Sequence, residues 1–195
     1  MFKEAPVYLY GKAFYGTEVT SSMDGQKFTL HAGDYYHSDY EIKLPGEHQI
    51  KNTSVAIVAA KLVSKQDARI NEIALHMGVA NTLWPRRLER IAQKPDLILD
   101  GAHNPDGALA LRKALDKYYP GKKVHFVFGM MGDKDMSGVI KTLIKADDVV
   151  LAVRADGGVR AAEADALANL VGANAVAESD LQTAYHKAMN LAGEE

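Results

Sequence analysis

Between Gln49 and Val63 the apolar residues Val55, Val58, Ala59 and Leu62 recur at i, i+3, i+4 and i+7. That is the spacing of one helical face, and it predicts a helix over 49–63. A second helix is predicted from Ile70 to Met77, with Gly78 near its end. Upstream the period differs. Val7–Tyr10, Lys27–Leu30 and Tyr40–Leu44 are short strand-like runs, with turns at Asp24-Gly25 and Gly33-Asp34. Pro45-Gly46 closes this β-rich stretch, and Asn81 to Arg86 reads as a connector.

Beyond the connector come three compact apolar runs, Leu97–Leu99, Val124–Phe128 and Val149–Val153. Helical patterns at Ala108–Lys117 and Met136–Lys145 separate them, and another helix is predicted over Ala161–Val171. A fourth strand near Ala173–Ala177 and a final helix over Leu181–Leu191 complete the pattern. Strands alternating with helices predict an α/β fold of parallel βαβ units with right-handed crossovers. There is no internal repeat and no low-complexity tract. The chain stops on Gly193-Glu194-Glu195 directly after a helix. Its strand-rich start with two helices is a thin core for an independent domain of about 85 residues. Both ends read as cut.

Composition narrows the classes. Of 195 residues, 47% are hydrophobic and 25% charged, as in an ordinary soluble protein. Lys plus Arg (23) nearly balance Asp plus Glu (25), so the net charge of −2 argues against a nucleic-acid footprint, which needs a clustered basic face. With no cysteine there is no disulfide and no thiolate zinc site, which fits a cytoplasmic protein. No apolar run approaches the roughly 20 residues that span a bilayer. Met1–Tyr10 carries Lys3 and Glu4 and lacks the apolar core of a secretory signal.

Four clusters carry candidate chemistry. The first is Asp100-Gly101-Ala102-His103-Asn104-Pro105-Asp106-Gly107, between the run Leu97–Leu99 and a predicted helix. At the carboxyl end of a parallel strand this is where open α/β sheets bind ligands. Asn104 suits an N-cap and Pro105 the first helical position, where no N–H is needed. The exposed N–H groups and the helix dipole favour an anion there, with Asp100 and His103 facing it. The second is Gly46-Glu47-His48-Gln49 with Asn52, where His48 and Asn52 share a helical face. The third is Trp84-Pro85-Arg86-Arg87-Leu88-Glu89, whose arginines suit bidentate contact with phosphate. The fourth is Gly129-Met130-Met131-Gly132-Asp133-Lys134-Asp135, a glycine-bearing loop expected at the same sheet edge as Asp100. Singly, each also fits a structural role: a capped helix, a solvated helix start, a packed linker, a plain βα loop.

The remaining histidines, His31, His37, His76, His125 and His186, show no partner in the sequence. No His/Asp spacing resembles a metal cage. Asp100, Asp133 and Asp135 gather a magnesium ion only if their loops converge.

Taken in order and spacing, Gly-Glu-His-Gln-x-x-Asn, Trp-Pro-x-Arg-Leu-Glu, Asp-Gly-Ala-His-Asn-Pro and Gly-x-x-x-Asp-Lys-Asp resemble the folylpolyglutamate synthases and bifunctional dihydrofolate synthases. These belong to the Mur ligase superfamily of ATP-dependent amide-forming ligases. The resemblance runs from about Leu44 to the C-terminus, and the first 40 residues fit more loosely. It implies the tail of a central ATPase domain (1–84) followed by a Rossmann-like C-terminal domain with a mostly parallel sheet (85–195), its last strand missing. It also implies that ATP phosphorylates a pteroate or folate carboxylate, that the glutamate amine attacks the acyl phosphate, and that Mg2+ neutralises charge. In such a cleft between the domains, Asn52 approaches the nucleotide, Arg87 contacts its phosphates and Asp100 faces it from the C-terminal domain. His103 lies near the acyl phosphate or the incoming glutamate, and Lys134 belongs to the same cleft. The expected protein is a cytoplasmic monomer whose partners are small molecules, with no nucleic acid and no membrane.

Two departures stand out. Arg86 occupies a place where the family usually has Gly, and a left-handed backbone there would cost of order 1 kcal/mol. No Gly-x-x-x-x-Gly-Lys-Ser/Thr phosphate loop occurs in the chain, so the fragment alone is expected not to turn over ATP, with most magnesium ligands outside it. A non-catalytic nucleotide- or glutamate-binding module is the alternative. A nicotinamide oxidoreductase lacks its Gly-x-Gly-x-x-Gly, and a magnesium phosphatase would need Asp100, Asp133 and Asp135 together.

Overall fold

The strands β1 (Phe14–Ser22), β2 (Gly25–Ala32) and β3 (Tyr36–Ile42) pair antiparallel in that order. They belong to a computed structural model that describes residues 5–33 and 36–193 and divides into two units, Met1–Pro85 and Arg86–Glu195. Alternation along β2 and β3 turns Gln26, Phe28, Leu30, Tyr40 and Ile42 to one buried face. Helix α1 (Glu47–Ser64) covers that face with Ile50 and Ile57. The approach is close: a Cβ on Gly16 would meet Ile50 Cγ2 at 2.6 Å and Ser54 Oγ at 2.8 Å, so only hydrogen fits there. Helix α2 (Glu72–Ala80) follows, capped by Asn71, whose side chain accepts from the Ala74 amide at 2.9 Å. That cap moves the helix start past the Ile70 expected from periodicity.

In the second unit β4 (Glu89–Ala92) and β5 (Leu97–Leu99) form an antiparallel pair. The strands β6 (His125–Phe128), β7 (Val149–Ala152) and β8 (Ala175–Ala177) form a parallel sheet in sequence order. Helices α3 (Pro105–Tyr118), α4 (Met136–Leu143) and α5 (Ala164–Val171) pack Leu115, Val139 and Leu167 on the face holding Val150 and Ala152. Helix α6 (Leu181–Ala192) packs Ala184 and Ala188 on the opposite face, against Leu151 and Val153. Both faces of β7 are thus buried, which is why its sequence is continuously apolar.

The α/β class with a parallel sheet is as the sequence implied, and several elements differ. Val7–Leu9 form no strand; they are exposed, and Tyr10 makes only an isolated bridge to Phe14. β1 is largely polar and exposed, so periodicity did not reveal it, yet it pairs with β2 along its length. β5 is antiparallel to β4 rather than a strand of a parallel ladder. Among the described residues it forms no ladder with β6, although Ile98 packs against the core of the parallel sheet. The helix expected from Ala161 begins at Ala164, because Gly158–Arg160 form a separate 3-10 turn. Met1–Glu4, Asp34, Glu194 and Glu195, on which the reading of the leader, the second turn and the chain end partly rested, lie outside the described residues.

Candidate functional site

Asp100 follows β5, and its carboxylate holds two backbone amides. Oδ2 accepts from the Leu88 amide at 2.8 Å and Oδ1 from the Ala102 amide at 2.8 Å. The Gly101 amide donates to the Arg86 carbonyl at 3.0 Å. Three hydrogen bonds therefore gather residues 86–88 and 100–102 into one turn cluster. To reach this geometry Arg86 and Leu88 take left-handed φ values of 61° and 49°. The Arg86 amide is held by Glu89 Oε2 at 2.7 Å, and the Leu88 side chain is 2% exposed, which anchors the cluster in the core. Between these two residues Arg87 is exposed, and among the described residues its guanidinium makes no ion pair. An extended cation on a pinned backbone suits a multiply charged oxyanion.

His103 lies two residues beyond the Gly101 carbonyl and meets it through Nδ1 at 2.9 Å. A carbonyl only accepts, so Nδ1 carries the proton, and in the neutral ring Nε2 is the acceptor. The imidazole is exposed. Asn104 then caps α3, its Oδ1 accepting from the Gly107 amide at 2.8 Å, and Pro105 occupies the first turn. Asp106 also lies in that turn and offsets part of the dipole's attraction for an anion.

Lys134 sits in the loop after β6. The loop is laced to the segment after β7: Gly132 donates to the Arg160 carbonyl at 2.7 Å and Ala162 to the Met130 carbonyl at 2.9 Å. Arg160 bridges Asp133 Oδ2 at 2.6 Å, which holds the Asp133 carboxyl below its ordinary range. Asp135 caps α4 through the Gly138 amide at 2.9 Å, and Lys134 is exposed. Asp100, Asp133 and Asp135 are thus each committed to separate partners. Among the described residues no three His, Asp or Glu groups could hold a metal ion. The arrangement needed by a magnesium phosphatase is absent there, and the residues present do not fit a Mg2+ cage.

Asn52 lies in the first unit, exposed on α1, its Nδ2 donating to Gln49 Oε1 at 3.3 Å. The start of α1 is fixed from the sheet. Gln26, 2% exposed, donates through Nε2 to the carbonyls of Leu44 at 2.7 Å and Gly46 at 2.9 Å. Gln26 was not singled out from the sequence. Its signal was a polar residue in phase with Phe28 and Leu30 on the buried face. Of the expected site residues the structure brings Arg87, Asp100 and His103 into one turn cluster. Among the described residues no hydrogen bond or ion pair joins the Lys134 loop to that cluster.

The family description "Mur ligase, glutamate ligase domain" matches residues 86–195. The folylpolyglutamate synthase of Lacticaseibacillus casei is 36% identical over 138 residues, 70% of this chain and 32% of that protein. The Mycobacterium tuberculosis folylpolyglutamate synthase complexed with ADP superposes with a TM-score of 0.79 at 29% identity, over 93% of this chain and 41% of that one. A bifunctional folylpolyglutamate synthase/dihydrofolate synthase with Mn, AMPPNP and L-glutamate bound gives a TM-score of 0.71 at 26% identity, over 96% of this chain and 42% of that one. The chain thus spans about a third of the length of the curated relatives it matches. The matched residues coincide with the second unit, and with more than half of its residues under that description the chain belongs to the Mur ligase family.

Proposed function

We propose that this chain carries the phosphate-contacting and glutamate-handling residues of an ATP-dependent ligase that adds L-glutamate to dihydropteroate or a (tetrahydro)folate. The observation that carries the reading is the turn cluster, in which an unpaired Arg87 projects from a backbone tied to the Asp100 turn that also carries His103. Relatives and solved structures bearing folylpolyglutamate and dihydrofolate synthase names support it.

In this reading Arg87 binds the phosphates of ATP. Asn52 contributes its exposed amide to the nucleotide, and Lys134 adds a second cation. The substrate carboxylate takes the γ-phosphoryl group, ADP leaves, and an acyl phosphate results. The glutamate amine attacks the acyl carbon, phosphate departs with the electrons of the broken C–O bond, and the amine loses a proton. His103 Nε2, left as the acceptor by the Nδ1 bond to Gly101, takes that proton. Asp100 positions Arg87 by holding the Leu88 amide, and any ligand contact is additional to that role. No Mg2+ ligand is assigned to this chain and no step is routed through the ion.

A non-catalytic nucleotide- or glutamate-binding module is the second reading, favoured by the lack of a phosphate-loop motif in the sequence. Calorimetry with ADP tests the phosphate role, and glutamate-dependent phosphate release by the chain alone would exclude the module. The expected result is ADP binding that falls at least tenfold in Arg87→Ala, with unchanged urea stability and no turnover by the 195-residue chain alone. ADP affinity unchanged in Arg87→Ala would remove the phosphate role and the reading with it.

A further inference from the structure

The face of the antiparallel sheet opposite α1 carries a feature unrelated to the ligase cluster. His31 on β2 and His37 on β3 are cross-strand partners, with Tyr15 opposite His31 on β1. The two Nδ1 atoms lie 2.7 Å apart. The rings meet edge on, crossed at 70° with centroids 4.8 Å apart, so their nitrogens rather than their π faces converge. Tyr15 stacks on His31 at 4.7 Å and 15°, which fixes that ring against the sheet. Phe28 and Leu30 alternate with this row and point to the other side, toward α1.

Two neutral imidazoles cannot both donate across so short a gap. One nitrogen keeps its proton and the other offers a lone pair, so the two nitrogens already aim at one point between them. A metal ion can take that proton's place. Zinc–nitrogen bonds of about 2.0–2.1 Å at a tetrahedral angle would set the two nitrogens about 3.3 Å apart. The rings need only part by roughly half an ångström to reach that bite, and His37 is exposed. Among the described residues no third His, Asp or Glu completes a cage. Asp39, next along β3, is engaged by the Thr29 hydroxyl at 2.6 Å. Water would fill the other positions. Nitrogen donors select zinc, nickel or copper, whereas magnesium prefers oxygen ligands.

We propose that His31 and His37 form a two-point chelate for a borderline divalent metal ion of the zinc class, on the sheet face opposite the helix that bears Asn52. The ion binds through both Nδ1 atoms; the ring that carried the shared proton gives it up to solvent and takes one from solvent at Nε2, so both rings stay neutral. Because it bridges two neighbouring strands, it braces the β2–β3 hairpin.

Titration of the whole chain with Zn2+ tests this, by calorimetry and by NMR of the histidine rings. One Zn2+ is expected to bind per chain at this pair, with the His31 and His37 ring signals moving together at the first additions. Affinity is expected to fall at least tenfold in either His31→Asn or His37→Asn, while Mg2+ at the same concentration leaves both rings unmoved. Zn2+ binding of equal strength in both variants, or first shifts at His103 or another ring, would overturn the proposal, as would no heat at all. The wild-type ring shifts decide the matter even if a variant fails to fold.

Discussion

The backbone amide of Leu88 donates to Oδ2 of Asp100 at 2.8 Å, so a residue that motif matching assigns to the nucleotide also holds the start of the second unit together. The other oxygen holds the Ala102 amide at the same distance. Hydrogen bonds to a charged acceptor contribute more than neutral ones, and removing the acceptor strands both donors. Asp100→Ala is expected to destabilise the second unit by about 2 kcal/mol in urea unfolding. Asp100→Asn, which keeps one oxygen, is expected to lose less. Stability unchanged in Asp100→Ala would mean that the clamp carries no weight and that the residue serves ligand alone.

Arg86 sits at φ 61°, in the region where a Cβ crowds the following carbonyl. Arg86→Gly removes that strain, worth about 1–2 kcal/mol. It also adds unfolded-state freedom, which costs roughly 0.5–1 kcal/mol. The net expectation is a gain of up to about 1 kcal/mol, while a β-branched Arg86→Val loses at least as much. Urea midpoints of the two variants should fall on opposite sides of the wild type. If both fall on the same side, the left-handed geometry is not what limits this position.

How much of this was legible in the sequence depends on whether the signal was local. The start of α3 was legible because Asn104 and Pro105 act within one turn, and both appear in those roles. For Arg86 the residue pattern set only a condition, a cost if the backbone there were left-handed, and φ 61° meets that condition. β5 was read as a strand of the parallel sheet and proves antiparallel to β4, because its pairing depends on β4, which is half-polar and has no clear period. The clustering of Arg87, Asp100 and His103 rests on amides and carbonyls, which leave no trace in side-chain pattern. Gln26 was missed for the converse reason: a buried amide looks like a break in hydrophobic alternation until its partners, Leu44 and Gly46, are seen.

Where β6 and β7 begin, Arg112 Nη1 meets Asp148 Oδ2 at 3.0 Å with both side chains nearly enclosed, 8% and 2% exposed. Asp148 also accepts from the amides of Val124 at 3.1 Å and Lys145 at 2.9 Å, which ties the entries of β6 and β7 to α3. Removing one partner leaves a buried charge. Arg112→Leu is therefore expected to cost about 3 kcal/mol. Because the pair is buried, high salt should change that cost little, unlike the cost of breaking the exposed Asp133–Arg160 pair. Equilibrium unfolding with and without added salt measures both. A loss below about 1 kcal/mol would place Arg112 among ordinary surface pairs.

His125 opens β6, half-buried, and its pKa lies below the ordinary 6.5, chiefly through burial and then through the nearby Lys123, with Asp148 opposing. A lowered folded-state value means that the unfolded chain binds the proton more readily. The sign follows directly: the contribution to stability is full above the unfolded value of about 6.5 and is lost as pH falls through it toward the folded value. Replacing the imidazole with a group of similar size that does not titrate removes this dependence. His125→Gln is therefore expected to flatten the fall in stability between about pH 8 and pH 5, leaving the high-pH end less affected than the low. Urea midpoints across that range give the slope. An identical slope in wild type and variant would show that protonation of β6 is not among the events that weaken the second unit in acid.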